Sequence, residues 1–94
     1  MAVSKEMTKK IERQDQAINL ARSIASDILI YNREAVVEGL RADDLFERLA
    51  DEIDEGRRLY VERVSEALPD RTNHFDRALG DILVRKGWQA IIGG

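Results

Sequence analysis

The chain has 94 residues, 44% hydrophobic and 35% charged, a balance that suits one small folded domain and excludes wholesale disorder. Its 15 Lys and Arg against 18 Asp and Glu leave a net charge of -3, opposite in sign to the basic face of a dedicated nucleic-acid binder. With no cysteine and a single histidine, disulfides, thiolate catalysis and Cys-ligated zinc or iron–sulfur sites are excluded, and few other metal constellations remain. No apolar run approaches the length of a membrane span and no secretory leader is recognisable, so the expected location is cytoplasmic.

Apolar residues recur every three or four positions, which predicts helices throughout. Met7, Ile11, Gln14, Ile18, Ala21, Ala25 and Ile28 form one stripe, and Ser4 is a plausible N-cap for a helix from about residue 5 to 31, roughly 40 Å long. Residues 5–13 are mostly charged, whereas residues 24–31 are apolar on nearly every side. The second half is therefore expected at the centre of the fold, and residues 1–13 to project or to pair with another chain. Asn32 predicts a break, followed by a short helix from Arg33 to about Leu40. Asp43 is expected to cap a helix from about Asp44 to Leu68, stopped by Pro69, the only proline. A last helix from about His74 to Lys86 would end at Gly87, leaving 88–94 as a short apolar tail.

The fold class expected is all-α: a single domain, residues 1–94, built as a three-helix bundle with an extra short helix and a long N-terminal helix, completed by dimerisation. The expected core is Ile24, Ile28, Tyr31, Val37, Phe46, Leu49, Ile53, Tyr60, Val64, Phe75, Leu79, Ile82 and Leu83. Gly56 falls beside that buried face, where its lack of a side chain suits close approach of another helix.

Candidate chemistry is thin. A di-iron bundle needs Glu-x-x-His motifs, but Arg71 stands three residues before the only histidine, His74. Asp51 to Glu62 partly mimics a calcium loop, yet Ile53 occupies a position that requires an oxygen ligand. No catalytic, cofactor or metal residues are assigned. Asp27 shares a helix face with Leu20, Ile24 and Tyr31 and should need donors, which Arg57 or Arg58 could supply as a half-buried pair. With Asn32, these form the expected set of structural polar residues. Charge is uneven: residues 34–55 hold nine acids against Arg41 and Arg48, while residues 1–13 and 57–94 are each net +2. Association between an acidic middle and a basic end is electrostatically reasonable.

The string from Leu20 to Asn32 (LARSIASDILIYN), then Glu52 to Tyr60 (EIDEGRRLY) and His74 to Leu79 (HFDRAL), resembles a small helical module of bacterial proteins attached to zinc-ribbon or regulatory domains. The resemblance covers residues 17–83 and implies a regulatory or protein-interaction role with no catalytic residue to carry over. The family pattern has proline after the Tyr-Asn pair, where this chain has Arg33.

Three helices around residues 24–31 leave surplus apolar surface at Met7, Ile11 and Ile18 and at Trp88, Ile91 and Ile92, and monomers rarely leave such patches bare. The expected function is a non-enzymatic protein-interaction or oligomerisation module, an adaptor or regulatory protein. Its expected partners are a second copy of itself, a larger protein, or both, with no nucleic acid, membrane or cofactor. Two alternatives stand beside it: an accessory subunit docking on a larger complex through its C-terminal tail, and a small metal-binding helical bundle.

Overall fold

The computed structural model describes residues 10–93 and has no strand among them. Residues 10–13 are not helical: the Ile11 N–H donates to the Arg63 carbonyl at 2.7 Å, and the Ser65 N–H donates to the Ile11 carbonyl at 2.8 Å. This parallel bridge between Ile11 and Val64 fixes an extended entry, so the first described helix, α1 (Gln14–Tyr31), starts well after residue 5. Ser4 and Met7 lie outside the described residues.

α1 packs against most of the other principal elements. Ala17, Ala21 and Ala25, four apart, are fully buried and form a smooth strip on which a neighbouring helix can lie close. Ile24 and Ile28 fill the adjoining strip. The expectation that residues 24–31 are enclosed on every side is corrected: Ile30 is 63% and Tyr31 82% exposed, because only one face of α1 meets other helices. Asn32 ends the helix by donating both its backbone N–H (3.0 Å) and its side-chain Nδ2 (2.9 Å) to the Ile28 carbonyl.

α2 (Arg33–Ala42) comes next and stops at Asp43, whose left-handed φ of 61° lets the Asp44 N–H return to the Gly39 carbonyl. Asp43 therefore terminates a helix and does not start one. A single turn, α3 (Leu45–Arg48), leads through Leu49 into α4 (Ala50–Arg63). This phasing corrects two expected core positions: Val36 and Leu45 are buried, Val37 is half-buried and Phe46 is 50% exposed. α4 ends at Arg63 and not near Leu68, because Val64 is drawn into the extended bridge with Ile11. The other expected core positions beyond Tyr31, namely Leu49, Ile53, Tyr60, Val64, Phe75, Leu79, Ile82 and Leu83, are buried.

The last helix is longer than the sequence suggests. α5 (Arg71–Leu79) begins after Asp70, another left-handed residue, and continues through a π-helical stretch (Gly80–Lys86) into α6 (Gly87–Gly93). Gly87 does not stop the chain. A Cβ there would lie 2.7 Å from Leu40 Cδ1 and 3.0 Å from Val36 Cγ1, so glycine lets the C-terminal helix settle against α2. The architecture is an all-α bundle of three principal helices, α1, α4 and α5 with its continuation, with α2 and α3 as the short additional elements.

α4 approaches α1 through Gly56. A Cβ on this residue would sit 2.8 Å from Ile24 Cγ2, 3.4 Å from Ile28 Cδ1 and 3.6 Å from Phe75 Cζ. Gly56→Ala gains about 1 kcal/mol of helix propensity but must displace a β-branched neighbour, an overpacking cost of about 1–3 kcal/mol. The expected net effect is destabilisation by about 1 kcal/mol. Gly80→Ala, where a Cβ meets nothing within 4 Å, should instead stabilise by about 0.5–1 kcal/mol. Urea denaturation of the two variants tests this opposition of sign.

Candidate protein-binding surfaces

Trp88 is carried by the first turn of α6 and is 40% exposed. With Val84 from the π stretch, Gly39 and Leu40 from α2, and Leu45 and Phe46 from α3, it lines a depression of about 310 Å³ whose other lining residues are Asp43, Asp44 and Glu47. Phe46 continues into a second depression of about 340 Å³ with Ala50, Ile53, Leu79 and the Arg57–Asp76 ion pair. Two aromatic side chains thus lie on one face, half in solvent. Arg48 braces that corner: its Nε and one NH2 group form a two-point pair with Asp44 at 3.0 and 3.1 Å, and its other nitrogen reaches Glu38 at 3.2 Å. The hydrogen bonds to Asp44 raise the guanidinium pKa further above its ordinary value.

The remaining expected interaction residues do not form one surface. Ile11 is half-buried beside Val64, while Ile18 on α1 is 37% exposed. A continuous helical stripe through Ile11 and Ile18 is therefore corrected, since Ile11 stands on extended chain. Met7 is outside the described residues. Ile91 is half-buried, and Ile92 is 82% exposed at the end of α6. Sequence spacing misses Phe46 as a surface residue because it places that side chain in the core. Leu45 and Phe46 are adjacent apolar residues on a one-turn helix, and spacing alone does not tell which of them faces inward.

The structural polar residues divide as well. Arg57 reaches α5, where its NH1 lies 3.0 Å from Asp76 Oδ1 and its guanidinium carbon 5.0 Å from the Phe75 ring centre. Arg58 is exposed on the next position of α4. Asp27 is exposed too, so the expected half-buried pair with Arg57 or Arg58 is corrected: α4 turns Arg57 toward α5 and leaves Asp27 at the edge of a groove. That groove, of about 470 Å³, runs between the end of α1 and α4, over Ile28, Tyr31, Gly56 and Leu59, with Asp27, Glu52, Glu55, Arg58 and Glu62 also lining it.

His74 lines a smaller pocket of about 180 Å³ with Ile18, Arg22, Arg77, Ala78 and Asp81. Arg22 and Asp81 approach to 3.5 Å there, while the buried His74 Nε2 has no hydrogen-bond partner among the described residues. Among the described residues no group of three or more His, Cys, Asp or Glu side chains is placed to hold a metal ion. No helix among them is long and apolar enough to cross a membrane.

Comparison with family models, curated proteins and solved structures finds no match.

Tyr60 is the largest buried side chain with a titratable group. Its hydroxyl donates to the Arg71 carbonyl at 2.7 Å, tying the end of α4 to the start of α5. Burial pushes its pKa up, and the nearby Arg71 charge partly opposes this. A raised folded-state pKa contributes stability that is complete below the unfolded value of about 10 and is lost as pH rises through the folded value. Tyr60→Phe should lose about 1 kcal/mol at neutral pH and should shed part of the alkaline destabilisation. Urea midpoints measured at pH about 7 and about 11 check both effects.

Proposed function

We propose that this chain is a non-enzymatic protein-interaction module, an adaptor or regulatory protein that self-associates through the face bearing Phe46 and Trp88. One observation carries the reading: two aromatic side chains, each about half exposed, border adjoining depressions on a braced corner of the bundle. Aromatic anchors beside pre-formed pockets are typical of the residues that dominate binding energy. Exposed Ile92 extends the apolar surface at the end of α6. Completion by dimerisation and a cytoplasmic setting belong to the same proposal.

A second reading is favoured by the way α6 is built. Gly87 seats the C-terminal helix on α2 through Leu40 and Val36, so Trp88 is held on ordered structure and needs little further ordering when it binds. The same face could then dock an accessory subunit onto a larger complex.

Native mass spectrometry across a concentration series separates the two. Under self-association a dimer forms on its own, and the double variant Phe46→Ala with Trp88→Ala raises the dissociation constant at least about tenfold without loss of helicity. A chain that stays monomeric at all concentrations moves the proposal to the accessory-subunit reading. Added mass matching a metal ion would overturn both in favour of a metal-binding bundle.

A further inference from the structure

The groove between the end of α1 and α4 shares no lining residue with the Phe46–Trp88 depression. Its apolar lining is Ile28 and Gly56, both buried, with Leu59 and Tyr31, which are 43% and 82% exposed. Its charged lining is four carboxylates, from Asp27, Glu52, Glu55 and Glu62, against the single guanidinium of Arg58. None of these five takes part in an ion pair among the described residues, although acids elsewhere, such as Asp44, Asp76 and Asp81, do. Among the residues that line the groove, carboxylates therefore outnumber guanidinium groups four to one.

We propose that this groove docks a basic amphipathic helix of a partner protein, a proposal that rests on reading the chain as an interaction module. Positions 52, 55, 59 and 62 fall at the three-and-four spacing of one helix face, beside the buried face at 53, 56 and 60. They cover about 15 Å along α4, two to three turns, which matches a short helix laid into an interhelical groove. Leucine-like side chains every third and fourth residue would cover Leu59 and Tyr31. Lysine or arginine on the flanks would meet Glu52, Glu55 and Glu62 of α4 on one side and Asp27 of α1 on the other. The excess of carboxylates over the single guanidinium of Arg58 would attract a cationic occupant. An acidic or purely apolar helix would leave them unpaired at the edge of a desolvated contact.

The probe is a fluorescently labelled Leu/Lys peptide of about 14 residues with leucines at i, i+3, i+4 and i+7, compared with a Leu/Glu peptide of the same pattern. Anisotropy titrations against the full chain should show the Leu/Lys peptide binding at least about tenfold more tightly. The double variant Glu52→Lys with Glu55→Lys should weaken it by at least about tenfold, and Leu59→Ala should weaken it severalfold, with helicity retained by circular dichroism. Asp43→Asn with Glu47→Gln, on the other face, should leave the affinity unchanged. Equal affinity for the two peptides, or equal weakening by the Asp43 and Glu47 changes, overturns the proposal in favour of general charge attraction. Displacement of the probe by a peptide of residues 1–13 overturns it in favour of a second copy as the occupant. The native mass of the Glu52→Lys, Glu55→Lys variant keeps the two surfaces apart: an unchanged dimer with lost peptide binding assigns the groove its own partner, and a dimer lost together with the peptide overturns that assignment.

Discussion

The approach of α4 to α1 at Gly56 is the contact from which the rest of the bundle is arranged. Ile24 and Ile28 lie where a side chain at 56 would be, and Phe75 of α5 closes the same space from a third side. Three helices therefore meet over one residue that contributes only backbone. The cost of a mid-helix glycine, about 1 kcal/mol, is offset by the dispersion contacts of two isoleucines and a phenylalanine at van der Waals range. Once α4 lies this close, Tyr60 falls one turn further along the same face. There it meets Phe75, with ring centres 5.2 Å apart, and its hydroxyl reaches the Arg71 carbonyl. Arg57 covers the outer side of Phe75 and pairs with Asp76. A single close approach thus positions the junction of α4 with α5 as well as the floor of the acidic groove.

The all-helical class, the break at Asn32 and the buried faces of α4 and α5 are legible from spacing alone, because helical periodicity reports burial directly. Helix ends are less legible. The stripe through Met7 and Ile11 predicts helix, but the backbone groups of Ile11 are taken by Arg63 and Ser65, partners more than fifty positions away that no local pattern can announce. The same pairing shortens α4, whose periodic residues run on to Leu68. Phasing fails where a turn of one residue resets it. The left-handed Asp43 rotates the helical turn after it, so Leu45 enters the core in place of Phe46, and a helix-wide pattern carried straight across that residue selects the wrong neighbour.

The surfaces are legible in part. Trp88 and Ile92 stand out in the sequence as apolar residues without partners, and they are exposed. Their surroundings are only partly visible in it: Val84 precedes Trp88 by four helical positions, but Phe46 joins the same depression only through tertiary packing. The concentration of acid between residues 34 and 55 is visible in the sequence, but its division is not. Glu38 and Asp44 both pair with Arg48, whereas Glu52 and Glu55 line a groove with Asp27 and Glu62. The expectation that Asp27 pairs with Arg57 or Arg58 fails because α4 turns Arg57 toward Asp76, while Arg58 lines the groove with Asp27 but forms no ion pair among the described residues.

The π-helical stretch between α5 and α6 makes the direction of the aromatic face a matter of chain length. Its wider turns take up residues that a regular α-helix would not accommodate, and each residue added or removed swings the next segment by roughly 100°. Trp88 looks outward, and Gly87 inward at Leu40, because of that count. Removing a single residue from this stretch turns the tryptophan away from its pocket unless the wide turns tighten to α-helical ones, which would take up the loss and keep Trp88 on its face. The address of this surface is written in the number of residues before it as much as in their chemistry.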